Sequence, residues 1–372
     1  MSTIPVVDRT SRWKAIGREI GRAVAALVIA LVVAFVIVLF ISKAPLEAIN
    51  VLLTQPISKV RTIGLWIDDA AKLTVTGLAF SLVFQARQFA MGVQGQVYIG
   101  ALAATYVVQS PLGTSFAAIP LGIAAAMLAG ATYGFLPGIA KAKLGANEIV
   151  SSLMLNYIAI ELCTYLVRNF LVLPGSGRIT TEPFPDSAVF PTLVDKTRID
   201  LGLILALLAV GLVWFFLYRT SWGLKLRLVG HNPRFAAYAG IKPTFIMVSA
   251  MTASGALGGL LGAMFVQGQA FGNLTVLFEG GLAFEGILVA IVARSRPLAV
   301  PVVALFYGYL RQGAQLMNIR TDVPAEVIGV VTAIIILLVS SSFTVPGKKF
   351  FARLLRREAP AASTTPVEGA TK

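Results

Sequence analysis

The feature that most constrains this chain is a succession of apolar runs, most of them long enough to cross a bilayer as helices. A crossing helix needs roughly 20 apolar residues, fewer where it is broken or shielded by protein. About ten stretches approach that length: 23–41, 71–84, 97–108, 116–136, 149–171, 199–217, 245–266, 282–292, 298–310 and 323–341. Composition points the same way. The chain is 57% hydrophobic and only 13% charged, whereas soluble domains carry roughly a quarter charged residues. The expected fold is all-α, a polytopic transmembrane helix bundle with some broken helices.

The net charge of +14 needs no nucleic acid to explain it, because the basic residues lie between and beside the apolar runs. Arg9, Arg12, Lys14, Arg18 and Arg22 precede the first. Lys141 and Lys143, then Arg219 to Lys242, then Arg294 and Arg296, then Lys348 to Arg357 mark later gaps. All five groups fall on one side if every run crosses once, and the positive-inside rule makes that side cytoplasmic, with both termini. The expected organisation is a basic cytoplasmic N-terminus (1–22), a membrane domain (23–343) and a cytoplasmic tail (344–372) in contact with membrane lipid. The run 23–41 exceeds the roughly 7–15 residues of a signal-peptide core, so it reads as a retained first helix in the cell membrane. The stretches 46–69 and 173–198 read as loops on the opposite face, the first carrying Glu47, Asp68 and Asp69.

Chemistry by this chain is poorly supplied. Cys163 and His231 are its single cysteine and histidine, which leaves no disulfide and no metal set. No phosphate-binding Gly-x-x-x-x-Gly-Lys-Ser/Thr loop occurs, and no Ser/His/Asp constellation. The expectation is a protein that is not an enzyme and holds no cofactor. Any ATP is bound by a partner subunit.

Polar side chains inside apolar runs are costly unless they face protein or water, so they mark a candidate solute path. Gln94 and Gln96 sit among glycines next to a short run. That pattern suggests a broken helix with backbone groups free to bind a solute, or else close packing at small residues. Asn147 suits an N-cap and Glu148 a first turn. Asn156 is deeper, suited to lining the path or to an interhelical hydrogen bond. Glu161 and Arg168, two turns apart, are too far from each other for a direct pair. Gln267, Gln269, Asn273, Glu279 and Glu285 lie in a Gly-rich segment with Phe271, Phe278 and Phe284, where amides and acids could bind hydroxyls and rings could stack. Their rival reading is an external loop. Gln94, Gln96, Asn156, Gln269, Asn273 and Glu285 form the candidate path set.

The basic stretch 219–243 holds a second candidate site. Asn232 can cap a helix with Pro233 in its first position. Arg234 to Ala239 form a short helix and Gly240 ends it. A weak internal echo also exists: 76–79 matches 254–257, and Gln94-Gly95 matches Glu285-Gly286, as in transporters built from two related halves.

Several of these segments are familiar. The stretch from Gly145 to Ala159 is similar to nucleoside and simple-sugar permeases of the ABC importer group that also serves branched-chain amino acids. Gly92 to Gly100 resembles that group's glycine-rich motif, with Ala90 in place of an Asn and Gln94 in place of a Glu. Asn232 to Ile241 resembles its coupling segment. The resemblance implies an importer of two permease subunits, two ATPase subunits and an extracytoplasmic solute-binding protein, with Asn232, Pro233, Arg234, Ala236, Ala237 and Gly240 in the ATPase-coupling role. The expected solute is a nucleoside or simple sugar. The alternatives are a branched-chain amino acid permease, disfavoured because 267–285 lacks a cation, and an ion-coupled transporter using Glu161 and Glu285 as proton carriers.

Overall fold

The computed structural model describes residues 32–334, except 34, 174, 176–178, 270, 277, 279, 325–326, 328–329 and 331–333. The chain divides into two compact units. One comprises Ile37–Thr332, and the other the two chain ends, described only at Val32, Val33, Phe35, Val36 and Ile334, which are helical. Most of the runs 23–41 and 323–341, both tails and Glu279 lie outside the described residues. Everything below concerns the larger unit.

That unit is helical. Among the described residues there is no β-strand, only the isolated bridges Val172–Thr181, Thr180–Thr275 and Thr192–Asp200. The helices are α1 Pro45–Ser58, α2 Val60–Gln85, α3 Val93–Gln109, α4 Ala118–Leu144, α5 Glu148–Leu166, α6 Leu201–Arg219, α7 Ser221–His231, α8 Pro233–Tyr238, α9 Pro243–Val266, α10 Leu282–Val292 and α11 Val300–Arg320. A π-helical turn, Val167–Leu171, extends α5. Among the described residues, four spans are long and apolar enough to cross a membrane: Ala118–Leu144, Glu148–Leu171, Leu201–Arg219 and Pro243–Val266.

Two expectations fail here. The stretch 46–69 is no loop: α1 and most of the first half of α2 occupy it, and Asp68 and Asp69 are helical. Charge ends an apolar run in a sequence, but a helix continues through it when the charge is paired. Likewise 219–243, read as a long cytoplasmic loop with one short helix in it, contains α7 before that helix.

The centre of the unit is α9, packed against α2, α3 and α4. The contact is glycine-built, as expected where helices approach without a hydrophobic driving force. A Cβ on Gly100 of α3 would come within 2.5 Å of the Gly259 Cα of α9. Gly130 and Gly134 of α4 meet the backbone of Gly255, Gly259 and Met251 in the same way. Two segments of the internal echo meet crosswise, Gly286 of α10 lying against Thr76 of α2, and next to the other two Gln96 of α3 lies against Gly258 of α9. Around this centre α10 and α6 pack on α2, α11 on α1 and α2, and α5 on α3 and α4.

The basic segments gather at one end. A cleft of about 300 Å³ there brings Arg87 together with Arg227 and His231 of α7 and with Arg294. A neighbouring groove joins Lys143 to Lys242. At the opposite end, segments 172–200 and 267–281 form a cap. Gln267 Nε2 donates to the Ala188 carbonyl (3.1 Å), and Phe190 N–H donates to the Gln267 carbonyl (2.7 Å).

Candidate functional site

The connection between α2 and α3 is non-helical and buried at Ala86, Gln88, Ala90 and Gly92. Such backbone is tolerated at membrane depth only where protein satisfies its polar groups, and here α5 does so. The Met91 N–H donates to Ser152 Oγ (2.9 Å), Asn156 Nδ2 donates to the Met91 carbonyl (2.7 Å), and Gly95 N–H donates to Asn156 Oδ1 (2.8 Å). The helix is broken as expected, but these backbone groups are not free for a solute. Asn156, 2% exposed, is committed to the interhelical bond that rivalled its lining role. Asn147 caps α5, accepting from Ile149 N–H (2.9 Å). Glu148 pairs with Lys141 at 2.8 Å.

Gln96 differs. It is buried between Gly134 and Gly258, and its Oε1 has no hydrogen-bond partner. Buried amide oxygens without partners are rare and call for a reason. Gln94 is half-buried in the same turn.

Gln269 and Asn273 serve the cap. Gln269 Nε2 donates to the Phe190 carbonyl (2.7 Å) and its N–H to Asp200 Oδ2 (2.9 Å), while Asn273 Oδ1 accepts from Thr275 (3.3 Å). Their side chains are therefore spent on loop structure, the external-loop reading weighed against a solute role.

Glu285 belongs to a different group, one that sequence reasoning missed. It pairs with Arg311 of α11, whose Nε lies 3.7 Å from Asp69 of α2. One turn further along α2, the nearly buried Lys72 pairs with Asp68 at 2.7 Å and sits 5.0 Å above the Phe265 ring. Phe265 packs on Phe278 (5.2 Å), and Phe278 on Tyr98 of α3 (4.8 Å). Charges from three helices and rings from α3, α9 and the cap thus converge. The cation that 267–285 lacks is supplied by Arg311, so the argument drawn from its absence against an amino-acid solute falls. The signal was present in Lys72, inside the run 71–84, and in Arg311, directly after the run 298–310.

The short helix at the basic end forms largely as expected, over Pro233–Tyr238. Asn232 Oδ1 accepts from Arg234 N–H (3.0 Å) and Phe235 N–H (3.1 Å). At its end Gly240 takes φ +78°, and Ile241 N–H reaches the Ala236 carbonyl (3.0 Å) while Gly240 N–H reaches that of Ala237 (3.0 Å). This is a Schellman closure, which a residue with a Cβ would strain. Arg234, Phe235, Ala237 and Tyr238 line its outer side, Tyr238 exposed by 93%. Ala236 is fully buried. It anchors α8 to the bundle and cannot touch a partner, which corrects its place in the coupling set. Beside α8, the basic cleft is lined by three non-glycine residues in left-handed backbone: Arg87 (φ 54°), Arg294 (φ 52°) and Ser295 (φ 51°).

The family described as branched-chain amino acid transport system / permease component matches residues 63–340. The chain belongs to this permease family. It is therefore a multi-pass plasma-membrane permease subunit of an ABC transporter, and ATP hydrolysis lies on a separate subunit. Membership implies association with that ATPase and with a solute-binding protein. The permease is 34% identical to the guanosine ABC transporter permease protein NupP of Bacillus subtilis, over 76% of this chain and 82% of that one. It is 28% identical to the nucleoside ABC transporter permease protein NupB of Lactococcus lactis, over 81% and 85% of the two chains. It is 29% identical to the glucose ABC transporter permease protein TsgB13 of Haloferax volcanii, over 80% and 81%. No solved structure matches it.

Proposed function

We propose that this permease imports a nucleoside, with a simple sugar as the second reading. The observation that carries the proposal is the 34% identity to a guanosine permease over most of both chains. The sugar reading keeps its place through TsgB13. The geometry is compatible with a polar, hydroxylated solute: the amide of Gln96 and the charges around Arg311 suit hydroxyls and base edges, while the rings of Tyr98, Phe265 and Phe278 are buried against one another behind them.

In this reading the unit is part of a bundle of about ten spans with both termini in the cytoplasm, so the end carrying Arg87, Arg227 and Arg294 faces the ATPase. The outer face of α8 (Arg234, Phe235, Ala237, Tyr238) docks on that subunit, and the basic cleft beside it receives acidic groups of the partner. ATP-driven closure of two ATPase subunits then moves two permeases between outward- and inward-open states.

The deciding experiment is uptake into proteoliposomes holding the complete complex and its solute-binding protein. ATP-dependent uptake of guanosine or another nucleoside, insensitive to a protonophore, is expected. Uptake of leucine without nucleosides or sugars, or uptake collapsed by a protonophore without ATP, would overturn the reading.

A further inference from the structure

Helix α5 and its π-helical extension turn one stripe of residues to the bundle: Ser152, Asn156, Ala159, Cys163 and Val167 are buried. At 100° per residue, the 3.6-residue turn, the direction opposite that stripe is occupied by Tyr157, Glu161, Tyr165 and Arg168, interleaved with Val150, Met154 and Ile158, all exposed. Helix α6 provides the comparison within the same molecule. Its exposed residues from Ile204 to Phe216 are isoleucine, leucine and phenylalanine, with one glycine, as a lipid-facing surface requires. The outward face of α5 is mixed: it sets a carboxylate and two tyrosines among Met154, Ile158 and Leu162, where the exposed residues of α6 over that stretch include no polar side chain.

Depth makes the contrast matter. At 1.5 Å per residue, Glu161 lies roughly 20 Å along the helix from Glu148 and roughly 15 Å from Leu171. A glutamate side chain spans far less than either distance, so it cannot reach either membrane surface. Among the described residues Glu161 has no ion pair or hydrogen bond, and Arg168 is two turns away, beyond the reach of a direct pair. Charged groups at such depth face protein or water, not hydrocarbon. The helix also ends in a π-helical turn immediately beyond this stripe, a rare conformation found frequently at functional sites.

The geometry points to the Tyr157–Glu161–Tyr165 stripe as a solute-contacting wall of the water-filled route, closed on its far side by the second permease subunit. The Glu161 carboxylate accepts hydrogen bonds from adjacent hydroxyls of a neutral, polyhydroxylated solute, a ribose or hexose, since an ionised carboxylate offers acceptors only. Tyr157 and Tyr165 give ring surface to its flat or apolar face. The same carboxylate repels the carboxylate of an amino acid, which provides the discrimination that the Arg311 group does not. This inference rests on the importer reading and adds a specificity residue to it.

Cys163 is the only cysteine, so a Cys163→Ala background allows single-cysteine probes in the complete complex. Glu161→Cys and Tyr157→Cys should react readily with a membrane-impermeant charged thiol reagent, and saturating nucleoside should slow the reaction. Leu208→Cys on α6 should stay unreactive. In the otherwise native chain, Glu161→Gln should raise the KM for nucleoside uptake roughly tenfold or more, the loss of one charge-assisted contact, with kcat changed less. Glu161→Cys as unreactive as Leu208→Cys, or an unchanged KM in Glu161→Gln, would overturn the inference even with nucleoside uptake intact. If the parent complex took up neither nucleosides nor sugars, the importer reading would fall on that result alone, whatever the labelling.

Discussion

Arg311 of α11 forms an ion pair with Glu285 of α10 while its Nε faces Asp69 of α2 at 3.7 Å. One guanidinium therefore joins two consecutive helices, α10 and α11, to α2, which is remote from both in sequence. Arg311→Ala leaves two carboxylates without their cation, and breaking a mostly buried pair costs about 3–5 kcal/mol. The variant should lower the thermal midpoint of the detergent-solubilised complex well below that of the parent. Combining Arg311→Met with Glu285→Gln should recover part of the loss. Equal midpoints for Arg311→Ala and the parent would show that the three helices are held by packing alone.

Asn156→Leu removes a donor from the Met91 carbonyl and an acceptor from the Gly95 N–H, with little change in volume. Each buried backbone group left unpaired costs about 1–3 kcal/mol. We expect a destabilised complex with reduced uptake, read by thermal midpoint and by transport in parallel. A variant with native stability and lost transport would instead assign Asn156 to the solute.

Two glycines separate packing from backbone effects. Gly259→Val drives a branched side chain into the Ala126 carbonyl of α4 and should abolish accumulation of folded permease. Gly211→Ala meets nothing within 4 Å and lies in the middle of α6, so it should be neutral or stabilising by about 0.5–1 kcal/mol. Fluorescence-detected size exclusion of tagged variants distinguishes the two outcomes, and a folded Gly259→Val would contradict the glycine contact.

The two faces of α8 should respond differently. Arg234→Glu or Ala237→Trp changes the outer face and should leave membrane insertion intact while abolishing ATP-dependent uptake. Ala236→Trp puts an indole into a fully buried position and should destabilise the chain itself, an overpacking loss of about 1–3 kcal/mol or more. Normal coupling in both outer-face variants would move the docking surface away from α8.

Much of this was legible in the sequence. Long apolar runs mark α4, α5, α6 and α9 to within a few residues outside α4's C-terminal turns, and 282–292 coincides with α10. The Asn232 cap and the Gly240 stop were readable because capping is local: two or three neighbouring residues decide it. The charged group around Arg311 was not. Reading helices as uncharged runs truncates them where a charge appears, so α2 lost its first turns with Asp68 and Asp69, and α11 lost Arg311. Asp68 has its partner Lys72 one turn along the same helix, but the partners of Asp69 and Arg311 come from other helices, and no window along the chain contains them. For the same reason Gln269 and Asn273 looked available for a solute. The Phe190 carbonyl that occupies Gln269 is remote in sequence.

Ser152 and Asn156 tie α5 to the buried connection before α3, the Tyr133 hydroxyl of α4 donates to the Leu155 carbonyl at 2.6 Å, and Lys141 of α4 bridges Glu148 and Gln88. These rungs follow one another up the first turns of α5 like the teeth of a rack. A tilt of α5 consequently hauls residues 88–95 along with it, so whatever force reaches this helix is delivered to the turn that carries Gln94 and Gln96.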